Sequence, residues 1–365
     1  MKIVGEGIIS GRSGRGAYMP GIEPLPDGSF IACQFTASSF VASDARIEIL
    51  RSTDDMATWS NEGELRVAGE AEDGWSYRGA RIYQVPDGRL LLKTTRFETG
   101  KIAETFDASS ESLQQPENLL MWSEDAGRTW SKPRIVDAGL DPTKYTANGS
   151  GDLLQLAPDR WMYPMETWKP VGYGGPPDQK ALAMFSSDQG QTWGERTVVA
   201  DDTTGAINWW DHVGTVLPDG RIYETVWSHL YREVKDLPNH WLTSEDQGRT
   251  WSEPRPTNLL GQMCAPVALA DGRVVAIYAY RREPQGIRAA VSENLSHFDD
   301  ETVVFDAGGE AILGDPESTS LALNMAQGFG RPGGRLLPDG DVLVFYWGTR
   351  GGISQTRWAR IDVDG

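Results

Sequence analysis

The sequence predicts an all-β fold, a six-bladed β-propeller carrying one repeated kind of hairpin, and three observations lead there. An aliphatic-x-Asp-Gly turn recurs along the chain, at LPDG 25–28, VPDG 85–88, LPDG 217–220, LADG 269–272 and LPDG 337–340, with a degenerate LAPDR at 156–160. A second repeat falls between these turns: STDDMATW 52–59, SEDAGRTW 123–130, SSDQGQTW 186–193 and SEDQGRTW 244–251, with a decayed SENLSHF at 292–298. Long helical periodicity is absent. Short alternating or β-branched runs such as RIEIL, RLLLKTT and RVVAIYAY take its place, bounded by Pro, Gly and Asp.

Each element follows from these repeats. The opening strand KIVGEGII is expected to pair with the last blade, which ends TRWARIDV, so that the ring closes and loses its edges. In each Pro-Asp-Gly turn, Pro sets φ, Asp bonds the local backbone and Gly accepts a positive φ. A hydrophobic strand follows, as in SFIACQF, RLLLKTT, RIYETVW and DVLVFYW. The six turns, counted at Asp27, Asp87, Asp159, Asp219, Asp271 and Asp339, leave room for four short strands apiece. Six four-stranded sheets arranged radially make a propeller, read here as a single domain over residues 1–365. The innermost strand of each blade should run into its turn. Its other end, seven to nine residues earlier, should then border the central pocket, at Tyr18, Arg78, Asp152, Asp211, Gln262 and Arg331.

Composition narrows the partners. The 365 residues carry 52 acidic against 34 basic side chains, a formal charge of −18, which offers no basic footprint for nucleic acid. No apolar run approaches the roughly 20 residues of a membrane span. The N-terminal MKIVGEGIISGRSGRG lacks the apolar core of a signal peptide, so a cytoplasmic location is expected. Cys33 and Cys264 are too few for a disulfide framework. Three of the four histidines, His212, His229 and His240, fall close together, but their spacing is not a local metal motif. Neither a metal nor a cofactor is expected, and the oligomeric state is left open.

The second repeat resembles the Asp box, Ser-x-Asp-x-Gly-x-Thr-Trp, of the sialidase (neuraminidase) superfamily. Its Asp and Gly shape a hairpin and its Trp packs between blades, so the box is structural. The resemblance implies a glycosidase built on a six-bladed propeller, and it carries over residue by residue. Where the family has Arg-Ile-Pro in the first inner strand, this chain has Tyr18-Met19-Pro20. Asp44 matches the place of the family's catalytic Asp, and Asp211 that of its Glu. A further family Arg falls at Trp227, and the nucleophilic Tyr falls near Arg331. Two acidic positions survive while the arginine triad and the tyrosine do not, so this is a divergent member and ordinary sialidase activity is not expected.

The remaining candidates follow from chemistry. In YAYRREPQGIRAAVSE, Arg281 and Arg288 flank a Pro-Gln-Gly turn, with Arg282 read as solvated. With Arg78 and Arg331 they form a cationic set suited to a carboxylate-bearing sugar, or else they simply pair with nearby acids. Glycosidases need two carboxyl groups across the scissile bond. Asp211, set among Trp209, Trp210 and His212, and Asp44 are the acid–base candidates. Asp152, Gln262, Glu166, Trp210 and Trp227 are read as substrate-binding, with a purely supporting role as the alternative for Glu166, which like Glu224 lies on a second strand. The Gly/Pro-rich loop 168–180 reads as a lid. Three functions stay open: a hydrolase acting on an acidic oligosaccharide through Asp211 and Asp44, a lyase acting on uronates through His212 or Tyr18, and a glycan-binding propeller without catalysis.

Overall fold

Six antiparallel sheets succeed one another in the order of the six turns. In this computed structural model the described residues are 1–365 without 12–13, 67–73, 101–103, 108, 234 and 309–327. Blade one pairs Gly16–Pro24, Phe30–Ala37, Arg46–Ser52 and Ser60–Glu64. Blade two pairs Trp75–Gln84, Leu90–Glu98, Glu117–Ser123 and Arg134–Ile135. Blade three has a divided inner strand, Thr146–Asn148 and Leu154–Gln155, followed by Trp161–Trp168, Ala181–Ser186 and Glu195–Ala200. Blade four runs Ile207–Val216, Ile222–Leu230, His240–Ser244 and Arg255–Pro256, with the short Lys235–Asp236 also pairing its second strand. Blade five comprises Gln262–Ala268, Val274–Tyr280, Gly286–Ser292 and Asp299–Asp306. Blade six holds Phe329–Leu336, Val342–Arg350 and Ile353–Asp362, and its fourth strand is the N-terminal Lys2–Gly11, in register from Lys2 opposite Asp362 to Gly11 opposite Gln355. No helix occurs among the described residues.

The second strands are buried along nearly their whole length, polar residues included, because each is flanked in its sheet and covered by a neighbouring blade on both faces. All eight residues of Phe30–Ala37 and of Trp161–Trp168 are buried. The Ser-x-Asp hairpins join third to fourth strands. In the copy at 244–251, the Ser244 hydroxyl accepts from Gly248 N–H at 2.8 Å and donates to Asp246 at 2.9 Å. Asp246 in turn accepts from the backbone and hydroxyl of Thr250 at 2.8 and 2.6 Å. The Gly is required twice over: its φ is +83°, and a Cβ there would collide with Phe185 of blade three. The repeat tryptophans pack against the preceding blade, Trp251 beside Phe185 and Trp130 beside Ile31.

What positions the site is a kink shared by the inner strands. Five of them break register at one level, between Tyr18 and Gly21, Arg78 and Arg81, Trp210 and Val213, Gln262 and Cys264, and Gly330 and Gly333. At each kink one residue adopts a positive φ: Met19 (47°), Gly79 (61°), Asp211 (45°), Met263 (40°) and Arg331 (45°). Four of the five are not glycine, and each pays roughly 1 kcal/mol or more for that conformation. Bulges re-aim side chains, and in these five blades the kinked residue comes to line one cleft.

Candidate active site

All five kinked residues line a cleft on one face of the ring, in two adjoining compartments that share Met19, Phe40, Asn148, Trp168 and Arg331. The first is polar at its base, with Glu166, Asp211, Gln262, Arg281 and Arg331 set among Trp168, Trp227, Phe329 and Trp347. The second is largely apolar, walled by Val41, Phe97, Phe106 and Leu113, with Arg78 and Thr95 as polar groups. Phe106 and Leu113 come from a small two-stranded ribbon, Phe106–Asp107 with Ser112–Leu113, inserted in blade two.

Two carboxyl groups meet in the first compartment. Glu166 stands on the second strand of blade three, directly opposite Asn148. One of its oxygens accepts from Trp168 Nε1 at 2.7 Å and Asn148 Nδ2 at 3.0 Å, and the other accepts the Asp211 backbone N–H at 2.6 Å. Burial raises Glu166 above the ordinary carboxyl range, and the negative charge of Asp211 raises it further against those three donors. The first oxygen has both lone pairs occupied, so an added proton sits on the oxygen beside Asp211. The Asp211 carboxylate is ion-paired with Arg331. One acid is thus biased toward its neutral form and its neighbour is held by a cation, the division of labour that acid–base chemistry requires.

Cations complete the wall. Arg281 donates from Nε to Gln262 Oε1 at 3.1 Å and lies 4.1 Å over the Phe329 ring. It has no ion pair among the described residues, and its buried Nη1 has no partner there. Burial lowers it to about 9. Arg78, in the second compartment, donates to the carbonyls of Phe40 and Ala42, and burial lowers it to about 10. Among the described residues these are the two arginines whose net shift is downward, and both line the cleft.

Of the residues named from sequence, Asp211, Gln262, Arg281, Arg331, Trp227, Glu166 and Arg78 are therefore brought together. The others lie elsewhere, each for a physical reason. Tyr18 is buried in an aromatic cluster with Phe35, Phe40 and Trp347 and does not line the cleft. His212 is 0% exposed, its ring nitrogens held by Glu224 at 3.2 Å and the Met165 carbonyl at 2.9 Å, so it is a core residue. Asp44 lines neither compartment and is bonded by Ser38 N–H at 3.0 Å and by Arg15 at 3.0 Å. Partial burial raises its carboxyl, but these donors outweigh that and hold it below the ordinary range, which disfavours proton donation. Asp152 belongs to the opposite mouth of the ring, clamped by Arg81 at 3.2 Å and Arg335 at 2.7 Å. Arg288 pairs with Glu301 on the outer side of blade five. Trp210 is one layer back, stacked between Trp168 (5.7 Å) and His229 (5.4 Å).

The loop after Trp168 is anchored at both of its ends. Lys169 O accepts from Leu113 N–H at 2.9 Å, Asp178 accepts from the Tyr145 hydroxyl at 2.6 Å, and Lys180 bonds Asp201 at 2.9 Å. The pairing of Glu166 with Asp211 was missed from sequence, as were Phe40, Asn148, Phe329 and Trp347. The signal for Glu166 was Asn148-Gly149-Ser150-Gly151, a glycine-rich break where an inner strand should run. No group of three or more His, Cys, Asp or Glu placed to hold a metal occurs among the described residues.

A family model described as a BNR repeat-like domain matches residues 28–319. Among solved structures, a protein of unknown function from Dyadobacter fermentans superposes with a TM-score of 0.76 at 18% identity, covering 98% of each chain. The α-L-arabinanase of Penicillium chrysogenum, solved with arabinobiose, gives a TM-score of 0.67 at 16% identity, covering 100% of this chain and 99% of that one. The leech intramolecular trans-sialidase gives 0.64 at 13% identity, over 95% of this chain and 68% of the other. At these identities the likeness is one of fold.

Proposed function

We propose that this chain, which belongs to the BNR repeat-like domain family, is a glycoside hydrolase acting on an oligosaccharide that bears a carboxylate or similar anion. The observation that carries the reading is the Glu166–Asp211 pair in a cleft walled by aromatic rings and by guanidinium groups, of which Arg281 has no carboxylate partner among the described residues. Glu166, biased toward its protonated form by burial and by Asp211, delivers its proton to the glycosidic oxygen as the bond to the leaving sugar breaks. Asp211 supplies the carboxylate, acting on the sugar's anomeric carbon or on the water that attacks it. Arg331 holds Asp211 in place, and Arg281 receives the sugar's anion. Trp168, Trp227 and Trp347 offer flat faces for pyranose rings. The similar arabinanase and trans-sialidase support the reading as proteins that work on glycosides with this fold.

A uronate lyase would need a base in the cleft. Neither a histidine nor a tyrosine lines either compartment among the described residues, so His212 and Tyr18 are not placed for that role. The test is a panel of acidic and neutral oligosaccharides incubated with the full chain and with Glu166→Gln and Asp211→Asn, following reducing ends. Release by the wild type alone supports the reading. Release that survives both substitutions in folded protein overturns the assignment.

A further inference from the structure

Arg281 is a half-buried guanidinium without a carboxylate in contact among the described residues, and what holds it is a chain of polar groups with only one allowed direction. Asp236, on the short strand Lys235–Asp236, does not line the cleft. One of its oxygens accepts from Trp227 Nε1 at 2.9 Å and His229 Nδ1 at 2.8 Å, and the other accepts from Gln262 Nε2 at 2.9 Å. Gln262 then offers its oxygen to Arg281 Nε at 3.1 Å. A carboxylate can only accept and a guanidinium can only donate, so the Gln262 amide between them is locked, nitrogen toward Asp236 and oxygen toward Arg281. With Nε spoken for and its face on Phe329, Arg281 lines the cleft with its remaining N–H groups, of which the buried Nη1 has no partner among the described residues.

We infer that Asp236 is a positioning residue that makes the cleft select an anionic group, a sugar carboxylate or sulfate ester, by fixing through Gln262 the direction in which Arg281 presents its free edge. This rests on the reading of the cleft as a glycan site. An asparagine at 236 has the same shape and keeps its oxygen for Trp227 and His229, both donors. It then points an NH2 at Gln262. The Gln262 amide must turn over, which sets its nitrogen against Arg281 Nε, donor facing donor, and the guanidinium loses its support.

The experiment titrates the full chain with three hexoses, glucose, sodium glucuronate and glucose 6-sulfate, and reads the fluorescence of the cleft tryptophans. The wild type is expected to bind one or both anionic sugars about tenfold or more tighter than glucose, about 1.4 kcal/mol. The two anionic arms show which group Arg281 receives. Asp236→Asn should bring that ratio to about one while the thermal midpoint stays within a few degrees. Asp236→Glu changes the size but keeps an acceptor-only carboxylate, and should retain most of the preference. A merely structural role would rank the two variants the other way. The inference is overturned if the wild type shows no anion preference, if Asp236→Asn keeps it, or if Asp236→Glu does as much harm as Asp236→Asn. Anion preference without any bond cleavage would instead sink the hydrolase reading and leave this inference standing.

Discussion

Replacing Glu166 with glutamine separates two things that this residue does. The carboxyl serves three donors, Trp168 Nε1, Asn148 Nδ2 and the Asp211 N–H. Glutamine has one oxygen with two lone pairs, enough for Trp168 and Asn148. Its NH2 must then face the Asp211 N–H, which loses its acceptor. That loss costs about 1–3 kcal/mol of stability, read as a lowered urea midpoint. Activity should fall further. A positioned general acid contributes on the order of 10²–10⁴-fold, roughly 3–5 kcal/mol, and glutamine has no proton to give. The assay is kcat/KM for reducing-end release from an acidic oligosaccharide, at a temperature where circular dichroism shows the variant folded. Wild-type activity should decline on the alkaline side as Glu166 ionises, at a pH above the ordinary glutamate value because burial and Asp211 raise it. A folded Glu166→Gln variant within tenfold of wild type, with that alkaline limb unmoved, would refute the reasoning.

Other outcomes follow from the same contacts. Trp168→Phe removes a donor to ionised Glu166, so the alkaline limb of the pH profile should move up by about one unit. Asp152→Asn breaks the clamp with Arg81 and Arg335 at the far mouth and should cost about 3 kcal/mol in urea unfolding. Burial raises the Asp152 carboxyl, but Arg335 and Arg81 more than reverse this, leaving it well below its ordinary value. The stabilisation is therefore fully present above the unfolded-state value near 4, and the gap to the variant should narrow only as pH falls below about 5. Gly248→Ala forces a Cβ onto Phe185 at a positive φ and should lower stability by about 2–3 kcal/mol without changing KM, since the hairpin is remote from the cleft.

The ring was legible because its repeats are local. Pro-Asp-Gly and Ser-x-Asp-x-Gly-x-Thr-Trp each write a turn in consecutive residues, and the spacing of those turns is the blade count. Reading back along the inner strands found Asp211 and Arg331, where the strand kinks but does not break. It misplaced Asp152 because the same reading assumed an unbroken strand in blade three. There Gly149 to Gly151 interrupt the strand, and Asp152 falls toward the opposite mouth. Glu166, a second-strand residue paired opposite Asn148 at the edge of that interruption, lines the cleft beside Asp211, a neighbour supplied by the next blade. Tyr18 and Arg78 precede their kinked residues by one position. In blade one that single step separates the cleft-lining Met19 from a tyrosine packed on Phe35 and Trp347. His212 looked catalytic beside Asp211 in sequence, yet neighbours along a strand point to opposite sides, and its side belongs to Glu224.

The central claim is that the Glu166–Asp211 pair breaks a glycosidic bond by hydrolysis. Its most direct test follows reducing ends and the ultraviolet absorbance of unsaturated uronate in parallel, for wild type and Asp211→Asn on one panel of acidic oligosaccharides. The account predicts reducing ends without absorbance from the wild type and neither signal from the variant. Absorbance rising with the cut, or undiminished release from folded Asp211→Asn, would contradict it.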